Sequence, residues 1–253
     1  GAMDPRCRFA LVVAKMDYSH PSLKQQHQGK GQPAASGDNR HGAHTIVLVP
    51  MPHPQVKVVR PLTVFGYDDA PFGHAEVVLD GVKLSSEHLI LGEGSGFRVA
   101  QARLGPGRIH HCMRAIGMAK RCYELMLNRS MERKTFGKYL WEHGGTQEMI
   151  SDSVSDLNAA RLLTLDCAAD MDNIGPKSAR AKIAAIKVAV PRLTYGIVDR
   201  AVQVFGGAGV CSDHVLARSL ALLRTLRIAD GPDAVHQRSV ARMEIRQFQK
   251  SKL

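Results

Sequence analysis

The turn Asp230-Gly231-Pro232-Asp233 carries two carboxylates. An acid on a turn can serve as a general base. The plainer reading is a turn followed by a helix whose N-cap is Asp233. Arg108, His110 and His111 stand beside Gly105-Pro106-Gly107, and the paired histidines read first as surface residues and only second as ligands. Arg133-Lys134-Thr135-Phe136-Gly137-Lys138 puts cations, a hydroxyl and a stacking ring at the expected end of a long helix. That set suits a phosphate-bearing ligand, although cations at a helix C-terminus also offset its dipole by about 0.3 to 1 kcal/mol each. Gly206-Gly207-Ala208-Gly209 resembles a phosphate-cradling loop, but no strand precedes it, so a helix C-cap is the simpler account.

Two kinds of element must position these groups. Up to about residue 93 the chain has short β-branched runs, at Cys7 to Ala14, Thr45 to Val49, Val56 to Arg60 and Ala75 to Leu79, bounded by Gly, Pro or Asp. Asp17 to Ala43 has little to bury and reads as a mobile loop. From Gly96 the period becomes helical, with Ile116, Ala119, Cys122, Tyr123 and Met126 on one face. Further helices are expected over Gln147 to Met171, Ala179 to Val204, Val215 to Leu226 and Asp233 to Gln249. Strands followed by helices predict an α+β chain: a partial antiparallel β domain over 1–93 and a helical domain over 94–253. Gly105-Pro106-Gly107 is expected to bend or open its helix, since proline removes a ladder bond.

Composition narrows the function classes. The 253 residues carry 34 Lys and Arg against 23 Asp and Glu, a net charge of +11. The excess is spread along amphipathic segments, which favours attraction of anionic small molecules over nucleic-acid binding. Aromatics are only 5 %, with a single tryptophan, leaving little for base-stacking surfaces. No apolar run approaches the ~20 residues of a bilayer span. The five cysteines, Cys7, Cys112, Cys122, Cys167 and Cys211, form no C-x-x-C pair and read as buried thiols in a reducing compartment.

Taken in order and spacing, Leu91 to Phe97 (LGEGSGF), Arg133 to Lys138 (RKTFGK) and Gln203 to Gly209 (QVFGGAG) resemble the acyl-CoA dehydrogenases. Gly105 to Arg114 (GPGRIHHCMR) and Ala229 to Asp233 (ADGPD) narrow the resemblance to family members ten and eleven. It implies part of a middle β domain followed by a C-terminal four-helix bundle that pairs subunits, with the chain beginning inside the middle domain.

The same resemblance implies FAD-dependent α,β-dehydrogenation of an acyl-CoA thioester, of long-chain or 4-hydroxyacyl type, in fatty-acid β-oxidation. Most members carry their base as Glu in a Glu-Gly-Thr turn; here the turn is Asp230-Gly231-Pro232, so Asp230 is the expected base and its own N–H the expected second oxyanion donor. Burial beside flavin and acyl chain is expected to raise its pKa. The alternative base position of some relatives is Gly107 here. Arg133, Thr135 and Phe136 are implied to meet the pyrophosphate and adenosine of a flavin held mainly by the neighbouring subunit, with Gln203 and Gly207 on its other side and His143 as a further contact. Arg108 matches an arginine at the thioester end of the acyl pocket. A homo-oligomer, dimer or tetramer, and an electron-transferring flavoprotein as electron acceptor are the implied partners. No metal is expected.

Ser251-Lys252-Leu253 matches the peroxisomal address, so the peroxisome is the expected compartment, with the mitochondrion second. Two other functions remain open on these residues: an oxygen-using acyl-CoA oxidase, and a catalytically incomplete chain whose bundle serves as a dimerising or regulatory module.

Overall fold

The computed structural model describes residues 1–17, 42–69 and 73–252. The loop expected over Asp17 to Ala43 falls mostly outside them. The chain divides into two compact units, Gly1–Arg103 and Leu104–Leu253.

The first unit holds two antiparallel ribbons. β1 (Phe9–Lys15) pairs with β2 (His44–Pro50), and β3 (Val56–Leu62) pairs with β4 (His74–Leu79) with a register shift between Val58 and Arg60. Alternation on β1 turns Phe9, Leu11 and Val13 outward, while Ile46 and Val49 of β2 are buried. A cavity of about 320 Å³ bordered by Phe9, Val12, Met51, Val56 and Leu79 lies within this unit and contains none of the candidate site residues. Where the chain leaves the ribbons, Ser95 Oγ donates to the carbonyls of Ile90 and Gly92. A Cβ on Gly96 would sit 2.7 Å from the His44 backbone, so only glycine fits there.

Five helices follow: α1 (Gly96–Glu132), α2 (Gly144–Ile174), α3 (Arg180–Phe205), α4 (Leu216–Leu226) and α5 (Asp233–Ser251). Cys112, Ala115, Ile116, Ala119, Cys122 and Met126 of α1 are buried at three- and four-residue steps, the pattern of one helical face on a core. α3 is the central helix, burying Ile183, Ile186, Val190, Ile197, Val198 and Ala201. Each of these isoleucine and valine side chains contributes roughly 1.5 to 3 kcal/mol of transfer free energy.

Named pairs fix the directions. Cys112 Sγ meets the Ile186 carbonyl and the Arg129 guanidinium lies over the Phe205 ring, so α1 and α3 run parallel. Arg200 with Asp156, and Lys182 with Asp166 and Asp170, set α2 antiparallel to α3. Phe205 with His214 at one end, and Lys187 with Leu226 at the other, set α4 antiparallel as well. The result is an up-down-up-down bundle, with α5 starting beside α3 at Arg192.

Two expectations are corrected. Helix α1 does not open at Gly105-Pro106-Gly107 but stays helical throughout. Pro106 and Ala102, whose carbonyl it leaves without a helical partner, are both exposed, which leaves that carbonyl open to water. The cysteines are not uniformly buried: Cys112, Cys122 and Cys167 are, but Cys211 is exposed and Cys7 half-buried. Desolvation raises the buried thiols, Cys112 to about 12 and Cys167 to about 11, leaving them inert packing groups.

Candidate active site

The loop 227–232 between α4 and α5 carries Asp230 in the left-handed region, at φ 55°. That region is uncommon for residues with a side chain, Asp and Asn entering it most readily, and the surroundings of Asp230 hold it there. Lys187, 1 % exposed on α3, donates from Nζ to the Leu226 carbonyl, closing the C-terminus of α4. Arg108 Nε donates 3.1 Å to the Asp230 carbonyl, and His236 Nε2 meets the same oxygen at 3.2 Å. On the far side of the loop Asp233 Oδ2 accepts from Arg192 and Arg227 at 3.0 Å. Gly231, at φ 107°, has no room for a side chain: a Cβ would lie 2.7 Å from His236 Nε2. Glycine is required here on both counts.

The Asp230 carboxylate turns toward α1, where Oδ2 lies 2.8 Å from His111 Nε2; the two side chains are 20 % and 19 % exposed. His111 Nδ1 in turn lies 2.8 Å from the Arg114 guanidinium. A guanidinium has only donors, so Nδ1 must accept and Nε2 must carry the hydrogen. His111 is therefore a neutral imidazole donating to Asp230. Burial lowers its pKa, with Arg114 and Lys187 acting the same way against the opposing pull of Asp230. Desolvation likewise lowers Arg108, Lys187 and His236 from their ordinary values.

Three sequence expectations change at this loop. The paired histidines are not both surface groups: His110 is exposed, but His111 holds Asp230. Asp233 does not cap α5 through its side chain; it is the first helical residue, after Pro232. Burial works against its charge, but hydrogen bonds from Arg227 and Arg192 outweigh this and hold it below the usual carboxylate range. A carboxylate clamped by two arginines is a poor base, which removes the nearest competitor of Asp230. Nothing in the periodicity marked Lys187, which occupies a core position on the buried face of α3.

The second group of candidates lies at the opposite end of the bundle. Arg133 follows α1 directly, and β5 (Lys134–Thr135) and β6 (Lys138–Tyr139) form a hairpin that the sequence did not predict. Phe136 and Gly137 both have positive φ, 50° and 79°, the signature of a two-residue type I′ turn. The Phe136 ring, at its tip, is 97 % exposed. The Thr135 hydroxyl and carbonyl both meet His143 Nε2 at 3.2 Å, so these two expected contacts are brought together.

Gln203 is exposed on the last turn of α3, which Gly206 closes at φ 63° as the C-cap reading expected. A Cβ on Gly206 or Gly207 would meet open space, whereas one on Gly209 would lie 2.6 Å from the Val202 carbonyl. The contact of Arg129 with Phe205 ties the hairpin end of α1 to this loop. The cations, hydroxyl, bare aromatic face and open glycines match the chemistry of a dinucleotide, so the residues present fit a flavin cofactor. Among the described residues no three His, Cys, Asp or Glu side chains are grouped to hold a metal, and no helix is long and apolar enough to cross a membrane.

Comparison with known proteins places the helical bundle in a family. The family model described as acyl-CoA dehydrogenase, C-terminal domain, matches residues 94–245, and the chain belongs to the acyl-CoA dehydrogenase family. Acyl-CoA dehydrogenase family member 11 of Rattus norvegicus is 45 % identical over 246 residues, covering 97 % of this chain and 29 % of the rat protein. A solved structure from Mycobacterium abscessus described as an acyl-CoA dehydrogenase superposes with a TM-score of 0.88 at 38 % identity, over 98 % of this chain and 56 % of that one. Butyryl-CoA dehydrogenase from Megasphaera elsdenii shares the fold, with a TM-score of 0.76 at 23 % identity over 94 % and 56 % of the two chains. This chain thus spans less than a third of the rat relative's length and somewhat over half of the bacterial ones.

Proposed function

We propose that this chain supplies the helical, substrate-oxidising part of an FAD-dependent acyl-CoA dehydrogenase, with Asp230 as the general base. The observation that carries the reading is the placement of Asp230: a strained turn, fixed by Lys187, Arg108 and His236, presents a part-buried carboxylate with one oxygen engaged by His111. Asp230 takes the α-proton of the thioester. The Asp230 N–H meets no protein acceptor among the described residues, which suits it to donate to the thioester oxygen as negative charge develops there. Arg108, half-buried beside the turn, supplies positive potential at the same end.

Bound FAD would supply the two-electron acceptor for the β-hydrogen. Arg133, Thr135, Phe136, His143, Gln203 and Gly207 are the residues that would hold it. Twenty-four helical steps of α1 separate Arg108 from Glu132, roughly 36 Å at about 1.5 Å per residue. One extended dinucleotide cannot touch both clusters of one chain, which supports a homo-oligomer in which each hairpin serves a partner's flavin. The substrate assigned is a long-chain or 4-hydroxyacyl-CoA within β-oxidation, the electron acceptor an electron-transferring flavoprotein, and the compartment the peroxisome. Of the targeting tripeptide, Leu253 lies outside the described residues.

The test is anaerobic addition of acyl-CoA to the flavin-loaded protein. Bleaching that persists in air and reverses with an electron-transferring flavoprotein is expected. Rapid recolouring with peroxide would assign an oxidase instead, and failure to take up FAD at all would leave only a dimerising module.

A further inference from the structure

We propose that His111 is a positioning residue that occupies Asp230 Oδ2 with its Nε2–H and so leaves Oδ1 as the proton-accepting oxygen. The inference rests on the assignment of Asp230 as base but concerns a different residue, on a different element. Its ground is the chain of contacts Arg114, His111, Asp230, each link 2.8 Å. Both imidazole nitrogens are committed: Nδ1 accepts from a group that can only donate, and Nε2 already carries its hydrogen. His111 cannot therefore receive the substrate proton from Asp230.

The step balances on Asp230 alone. The Cα–H bond breaks, its electron pair remains with the substrate and conjugates into the thioester carbonyl, and a new O–H bond forms at Oδ1. The carboxyl that results keeps its Oδ2 contact with His111, so the acid does not rotate as it gains a proton. This restraint matters more for an aspartate than for a longer acid, because its single methylene gives the carboxylate little reach beyond what the turn supplies. The groups facing the pair are Arg108 and Arg114 on α1, Lys187 on α3 and His236 on α5 at the Asp230 carbonyl. Of these, Arg114 and Lys187 disfavour an imidazolium at His111.

Two measurements test this. In the protein labelled with ¹⁵N-histidine, His111 is expected to show an unprotonated Nδ1 and a protonated Nε2 near neutral pH, with or without FAD. An Nδ1–H tautomer or an imidazolium would overturn the proposal, and this readout needs no turnover. In the holoenzyme, His111→Ala should slow α-proton exchange about 100-fold, the order expected when a reacting group is misplaced by about an ångström, with little change in KM. His111→Gln, whose amide N–H reaches the same oxygen, should recover most of that rate. Full activity of His111→Ala refutes the role of His111. Retained exchange in Asp230→Asn refutes the underlying base assignment instead, so the two failures are separable.

Discussion

Replacing Gly231 by alanine tests whether the acidic turn is held as rigidly as its contacts imply. The native φ of 107° lies where an L side chain is strained, at a cost on the order of 1 to 3 kcal/mol. The new Cβ would also start 2.7 Å from His236 Nε2. That ring cannot swing into solvent, because His236 is 5 % exposed, so relief requires it to leave the Asp230 carbonyl at a further cost of about 0.5 to 1.5 kcal/mol. Gly231→Ala should therefore destabilise the protein by about 2 to 4 kcal/mol, read as a shift in the midpoint of urea unfolding followed by circular dichroism. With His236→Ala in the background the clash term vanishes and only the backbone strain remains, giving a coupling near 1 kcal/mol. A loss under about 0.5 kcal/mol in the single variant would show that the turn relaxes freely, and the argument that a strained loop aims Asp230 would fail.

Other expectations follow from the same contacts. Lys187→Ala, which leaves both a cavity and an unpaired Leu226 carbonyl, should cost about 2 to 4 kcal/mol by denaturant unfolding. Lys187→Met should cost less, because it fills the volume and removes a desolvated charge. Asp233 has a native pKa below its unfolded value near 3.9, so the stability that its arginine clamp contributes is present above about pH 4 and is lost as pH falls through the native value. Acid titration of Asp233→Asn should show a shallower fall over that window. Phe136→Asn, at an exposed left-handed position, should leave stability within about 0.5 kcal/mol while weakening FAD retention measured by ultrafiltration. Arg133→Ala should weaken retention as well.

The fold was legible where one physical signal dominated. The shift from two-residue to helical periodicity located all five helices, with α1 and α3 each burying one face, while the largely exposed β3 was recognised from its β-branched composition between turn residues. The opening expected at Pro106 does not occur, because sequence shows the missing donor but not whether the freed carbonyl is solvated. The hairpin at Lys134–Tyr139 was missed because its strands are only two residues long, too short for any alternation to register. At the site, Asp230 and Arg108 were singled out through motif resemblance. His111 was not assigned a role because its partner lies 119 positions away, and no local pattern reports a contact made by helix packing. Lys187 was hidden for a related reason: its long stem fits a core face, and only the packed bundle shows its amine reaching the end of α4.

The central claim is that Asp230 removes the α-proton. The direct measurement is the rate at which the holoenzyme exchanges that proton of bound acyl-CoA with deuterated solvent, compared between the unaltered protein and Asp230→Asn at matched FAD occupancy. Loss of exchange with flavin still bound is the predicted result; exchange continuing at the unaltered rate would contradict it.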